Sequence, residues 1–242
     1  MAAAVEDELE ADAPFSELTR TDDEVFDEML HPYLRSRSPK FWTPFSVARR
    51  AGELLAVLGV GRVLDVGSGP GKFCIAAATA APKVQFVGVE QRKPLVSTAR
   101  QIATRLGVTN VEFEVGDATL SELTSFDAVY FFNPFAENSF EARDRLDQTV
   151  ELTEARRLRD VAHIERALAR TKIGTLVLTY HTFGGRFPDT FTLFHSERSG
   201  TDWLRIWRKT RTVATPSRYH EEDENRRVVT CAAAGRSNGK KA

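Results

Sequence analysis

Between residues 43 and 180, short apolar runs of strand length alternate with longer segments whose apolar residues recur at helical spacing. The strand-like runs are GRVLDV, VQFVGVE (residues 84–90), VEFEVGD, FDAVYFFNPF and GTLVLTY. Parallel neighbours need a crossover, and a crossover helix covers the sheet it leaves. This alternation therefore predicts a mostly parallel α/β sheet with helices on both faces. FDAVYFFNPF is nearly continuous in apolar residues, as suits a strand buried on both sides. Beyond the fifth run, FTLFHS and WLRIWRKT are joined by the turn text ERSGTD and read as an antiparallel pair. Open sheets of this kind bind ligands beyond the carboxyl ends of their strands, where the strand order reverses.

The flanks are of another character. Residues 1–20 are rich in Ala, Glu and Asp and are expected to form a disordered acidic tail. Thr21 is placed to cap a helix over TDDEVFDEMLHPYL, so residues 21–41 are expected to form a helical lid on a main domain spanning 42–213. Thr43 then reads as a cap, with Pro44 at the first helical position and Gly59 closing the helix. Further helices are expected through Ala81, over 94–106 and, as one long charged segment, over 140–170. Residues 214–242 are polar and read as a loose tail. The 242 residues carry a net charge of −1, which gives no overall basic field for nucleic acid. No apolar run is long enough for a transmembrane helix, no secretory signal pattern is present, and the two cysteines form no disulfide framework, so a cytoplasmic protein is expected.

The first strand runs into Asp65-x-Gly67-x-Gly69-x-Gly71. Glycine permits positive φ and close approach of another group. The dinucleotide fingerprint G-x-G-x-x-G fails here, because Lys72 stands where the last glycine belongs, and the phosphate-loop spacing fails too. Lys72 is expected at the surface, and Cys74 as an inert packing residue.

An acid at a strand end followed by three alternate glycines resembles the first motif of class I S-adenosylmethionine-dependent methyltransferases. The resemblance covers about residues 42–210 and implies a Rossmann-like sheet with a reversed final hairpin. It implies that Glu90, with Gln91 beside it, takes the cofactor's ribose hydroxyls, and that Asp117 and Ala118 lie at the adenine. It also implies that Gly67, Ser68, Gly69 and Gly71 admit the methionyl end, and that Asp65 accepts from its ammonium. The residue types suit the ligand: a carboxylate accepts two hydroxyl bonds, and a glycine turn at a helix start offers backbone N–H groups to a carboxylate.

Asn133-Pro134-Phe135 resembles the Asn-Pro-Pro-aromatic motif of methyltransferases acting on amino or amide nitrogens, with one proline fewer. It implies an acceptor nitrogen of protein or nucleic acid, although a small-molecule acceptor stays open. The resemblance implies that Thr43, with Pro44, lies near the cofactor's methionyl end. Trp42 is read as covering the pocket or stapling the helix, and His181 after the fifth strand is a candidate general base. His163 and His195 have no partner at metal-ligand spacing, and no metal is expected. Arg205, Arg208, Lys209 and Arg211 form a basic cluster, read as a solvated face or a polyanion contact. Two alternatives stay open beside methyl transfer: a nicotinamide-dependent oxidoreductase, which lacks its glycine spacing, and a non-catalytic cofactor-binding scaffold.

Overall fold

A computed structural model describes residues 22–212. The expectations for the acidic N-terminal tail, the Thr21 cap and the C-terminal tail lie outside the described residues.

Seven strands form one sheet in the order β3-β2-β1-β4-β5-β7-β6. They are β1 (Arg62–Val66), β2 (Gln85–Glu90), β3 (Val111–Val115), β4 (Ala128–Phe131), β5 (Leu176–Tyr180), β6 (Phe191–Ser199) and β7 (Asp202–Lys209). The first five pair in parallel, and β7 runs antiparallel between β5 and β6. This is the mostly parallel sheet with a final antiparallel pair that the sequence pattern predicts, in the Rossmann-like arrangement that the resemblance implies. Strand order reverses between β1 and β4, which places the glycine turn beside the Asn133 loop.

Helices α1 (Asp22–Glu28), α2 (Pro32–Phe41), α3 (Phe45–Val57), α4 (Lys72–Ala80), α5 (Lys93–Arg105) and α6 (Glu154–Arg170) surround the sheet. Pleating divides the core. Val63, Phe86 and Tyr130 face one apolar cluster, and Leu64, Val87 and Val129 face the other. The alanine run of α4 follows from close helix packing: a Cβ on Gly52 of α3 would lie 2.4 Å from the Ala77 carbonyl oxygen.

Several local expectations need correction. The segment after Thr21 is two helices, because Pro32 starts α2 and His31 accepts from the Tyr33 N–H at 3.3 Å. Thr43 is not a cap: its Oγ1 bonds the buried Tyr130 hydroxyl at 2.7 Å, while Asp23 Oδ1 accepts from the Phe45 N–H that opens α3. The long charged helix begins only at Glu154, where Thr153 accepts from the Arg156 N–H. Residues 140–152 instead pass over the carboxyl edge of the sheet, carrying Leu146 and Val150 to the site described below.

Two lysines expected at the surface are buried. Lys72 is 2 % exposed and pairs with Asp23 at 2.6 Å and Asp27 at 2.9 Å. Lys209 is 1 % exposed and donates to the Leu168, Ala169 and Thr171 carbonyl oxygens, so it closes the C-terminus of α6 instead of joining a basic face. The neighbouring Arg205 and Arg208 stack over Trp203 and Phe194.

Candidate functional site

The glycine turn is built by contacts that leave no room for side chains. A Cβ on Gly69 would sit 2.3 Å from Trp42 Nε1, and one on Gly71 would sit 2.6 Å from Phe113 Cζ. All three turn glycines also hold positive φ: Gly67 at 78°, Gly69 at 55° and Gly71 at 82°. The protein's own rings therefore account for two of the three glycines. Ser68 between them is buried, and its Oγ has no hydrogen-bond partner among the described residues.

A cavity of about 250 Å³ opens over this turn. Its floor is Gly67, Gly69, Val89 and Glu90. Asn133, Pro134 and Phe135 wall one side, Trp42 closes another, and Phe140 and Leu146 reach over from the excursion after β4. The roof segments also meet each other: the Tyr33 hydroxyl donates to the Leu146 carbonyl oxygen at 2.5 Å, and the Lys40 ammonium lies 4.1 Å from the centre of the Phe140 ring.

Glu90 ends β2 with its carboxylate turned toward the turn. Oε2 accepts from the Gly69 N–H at 3.2 Å and Oε1 from the Arg92 N–H at 2.9 Å. Burial raises its pKa, while those two N–H groups and the Arg92 charge oppose the shift. Each oxygen keeps a lone pair beyond these bonds, which is the capacity a vicinal diol uses. The N–H groups of the turn are taken, those of Gly67 and Ser68 by the Val89 carbonyl oxygen, that of Gly69 by Glu90 and that of Gly71 by the Ser68 carbonyl oxygen. The turn therefore does not offer them to a carboxylate as expected. The buried Glu90 acid on the cavity floor fits a ligand with vicinal hydroxyls.

Asp65 lies deeper. It is 4 % exposed, is not part of the cavity wall, and Oδ2 accepts from the Cys74 thiol at 3.4 Å. Burial raises its pKa to about 7, against the lowering effect of that thiol bond. Burial likewise raises the Cys74 thiol, which keeps it protonated as the donor. Asp117 is also set back from the cavity. Its Oδ1 accepts from the Thr119 N–H and hydroxyl, and its Oδ2 pairs with Arg156 at 2.8 Å. Ala118 is buried beside it, and Gly116 is the residue of this loop that reaches the wall. Gln91 lines the cavity and accepts from Arg156 at 2.8 Å. Thr43 is held under the site by Tyr130.

At the far side, Asn133 (φ 44°) and His181 (φ 63°) are the two non-glycine residues in the left-handed region among the described residues. Both line the cavity. Their loops are tied together by the Asn133 N–H, which donates to the Thr182 carbonyl oxygen at 2.8 Å. Such conformations concentrate where a surrounding structure holds side chains for use. Phe135 is 8 % exposed and belongs to the second core cluster as well as to the wall.

Three participants escape a sequence reading that places 140–170 in one helix. Arg92 is buried between Glu137 and Asp147, at 3.0 Å from each. Arg156 bridges Asp117 and Asp160. Asp202, from the hairpin, lies 2.6 Å from His181 Nδ1. The signal that points to the first two is the density of acids following Asn133-Pro134-Phe135, where a solvated helix face needs none of them buried. Among the described residues no cluster of His, Cys, Asp and Glu forms a metal-binding group, and no helix is long and apolar enough to cross a membrane.

A family model described as a methyltransferase domain matches residues 60–187, just over half of the chain. A tRNA (guanine-N(7)-)-methyltransferase of Synechococcus sp. is 36 % identical over 89 residues, covering 37 % of this chain and 34 % of the relative. A protein-L-isoaspartate O-methyltransferase of Geobacter metallireducens is 38 % identical over 88 residues, covering 36 % and 39 %. The chain thus spans little more than a third of the length of these curated relatives. The solved structure of a methyltransferase from Geobacter sulfurreducens shares the fold with a TM-score of 0.51 at 17 % identity, over 77 % of this chain and 90 % of that one.

Proposed function

This chain belongs to the methyltransferase-domain family, and we propose that it transfers a methyl group from S-adenosylmethionine to an acceptor presented at Asn133 and His181. The observation that carries this reading is the Glu90 carboxylate, oriented by the Gly69 N–H at the floor of a cavity where strand order reverses. Glu90 would hold the ribose hydroxyls. Gly67 and Gly69 would meet the methionyl end beneath Trp42, with Ser68 buried behind them against Gly88. Gly116, Gln91 and Leu95 form the wall left for the adenine, with Asp117 and Ala118 supporting it from behind through Arg156. Asp65 would act from below the turn, through the loop rather than by direct contact.

When bound, the sulfonium supplies an activated methyl group, so the protein's task is alignment and removal of a proton. Asn133 offers a side-chain amide at the cavity mouth, Pro134 packs against Gly67, and Phe135 gives the wall an apolar face. The curated relatives are named for tRNA and for protein substrates. We carry over from them only the class, an acceptor atom on a protein or nucleic acid, with an amino or amide nitrogen favoured by Asn133.

Thermal unfolding with added ligand tests this reading. S-adenosylhomocysteine at about 100 times its dissociation constant adds roughly 2.7 kcal/mol of stability. A shift with that ligand and none with NAD supports the assignment; stabilisation by NAD alone overturns it.

A further inference from the structure

His181 and Asp202 come from different strands and meet at the cavity mouth. His181 follows β5 and lines the cavity with a φ of 63°. Asp202 opens β7, which pairs antiparallel with β5 so that Tyr180 faces Leu204. The register brings the Asp202 carboxylate to 2.6 Å from Nδ1 of the imidazole. The ring N–H is not aligned along this contact, so it is a close charge contact and not a formed hydrogen bond; a carboxylate so near Nδ1 favours a proton on that nitrogen. The neutral ring then carries its hydrogen on Nδ1, and Nε2 holds a free lone pair. No described side chain or backbone group bonds Nε2.

The ring is fixed from the other directions as well. Phe132, at the end of β4, lies 5.3 Å from it between ring centres, and Tyr180 of its own strand lies 5.0 Å away. Tyr180 is in turn pinned by its hydroxyl, which donates to the Ser199 carbonyl oxygen at 3.0 Å. Among the described residues, the charged partner of the ring is Asp202. Of the other charged groups of the cavity, Glu90, Arg92, Glu137, Arg156 and Asp160 are held by neighbouring acids, bases or backbone, and Lys40 donates to the Asp144 carbonyl oxygen at 3.3 Å. A merely structural histidine needs neither a left-handed backbone nor a place on the cavity wall.

Building on the methyl-transfer reading above, we propose that His181 is the proton acceptor of the reaction and Asp202 its positioning residue, and that the acceptor substrate therefore attacks through an atom that bears a hydrogen. The step balances as follows. A lone pair on the acceptor nitrogen or oxygen forms the new bond to the methyl carbon, and the carbon–sulfur pair departs with sulfur, which becomes neutral. The hydrogen of the acceptor atom leaves as a proton to Nε2 of His181, and the resulting imidazolium faces the Asp202 carboxylate. This arrangement serves an amine, an amide or a hydroxyl. It offers nothing to a ring nitrogen that carries no hydrogen, so it separates two classes of nucleic-acid acceptor.

The test compares wild type, Asp202→Asn and His181→Asn, the last chosen because Asn tolerates the left-handed backbone. Histidine ¹⁵N shifts, read with S-adenosylhomocysteine bound, report the tautomer. The proposal expects Nδ1–H in wild type and a turn toward Nε2–H in Asp202→Asn, whose amide donates to Nδ1. Labelled S-adenosylmethionine is then offered with poly-L-lysine, total transfer RNA and 4-hydroxybenzoate. At least one is methylated at an atom that bore a hydrogen, and in both variants kcat falls by about 10²-fold or more while KM is nearly unchanged. Methylation confined to ring nitrogens without a hydrogen overturns the proposal. Wild type with Nε2–H, variants with full kcat, or methylation of none of the three while S-adenosylhomocysteine still binds would each overturn the pair. Failure of wild type to bind S-adenosylhomocysteine by calorimetry instead strikes the cofactor reading itself, so the two failures are told apart.

Discussion

Lys72 Nζ lies 2.9 Å from Asp27 Oδ1, which joins the first residue after the glycine turn to the helix that opens the described chain. Asp23 adds a second carboxylate at 2.6 Å and Ser38 a hydroxyl at 3.0 Å. The short helices α1 and α2 are thus held to the site by one buried ammonium, and through Trp42 they close the cavity. A buried charge deprived of its partner costs more than the pair contributes. Asp27→Ala should therefore lower unfolding stability by about 2–3 kcal/mol, with Asp23 left to share the ammonium, and Lys72→Met should lower it by less. Urea unfolding of the two variants checks the order; a larger loss for Lys72→Met contradicts the buried-pair account.

Asp65 gives the protein a pH dependence of unusual sign. Burial pushes its carboxyl up to about 7 in the fold, against an ordinary 3.8, so between these pH values the folded state holds a proton that the unfolded state has lost. Stability then falls as pH rises from about 4 through 7, because the unfolded state binds fewer protons. The span corresponds to roughly 4 kcal/mol at most for this single group. Asp65→Asn keeps an acceptor for Cys74 and removes the ionisation. Unfolding free energies at pH 5 and pH 8 should show the variant gaining on wild type at the higher pH; parallel curves would show that Asp65 is ionised without cost in the fold.

Much of this was legible in the sequence, and the failures share a physical cause. Strand positions follow from local patterning, so all seven appear near their expected places, while the reversal between β1 and β4 is seen only in the structure. Glu90 and the Asn133 loop could be found because they sit at strand ends. Lys72, Lys209 and Arg92 could not, since what buries a charge is a partner distant in sequence: Asp27 for the first, the α6 carbonyls for the second, Glu137 and Asp147 for the third. Helical spacing of Leu146 and Val150 also misled, because those residues are apolar in order to cover the cavity. Periodicity does not distinguish that use from a helix face.

Asn133 separates backbone from side chain. At φ 44° a glycine is at ease, so Asn133→Gly should leave stability within about 0.5 kcal/mol of wild type. Methyl transfer should nevertheless fall by about 10-fold or more, the scale of one lost hydrogen bond to a reacting group. Rates with labelled S-adenosylmethionine, beside a melting curve, check both halves. A stable variant with full activity would assign Asn133 to the turn alone.

The most direct measurement is calorimetric titration of S-adenosylhomocysteine into wild type and Glu90→Ala at pH 7.5. Removing a carboxylate that holds two hydroxyls should weaken binding by about 10²-fold, corresponding to roughly 3 kcal/mol, with the fold retained by circular dichroism. Equal affinity in the two proteins would contradict the placement of the sugar at Glu90, and with it the assignment of this cavity.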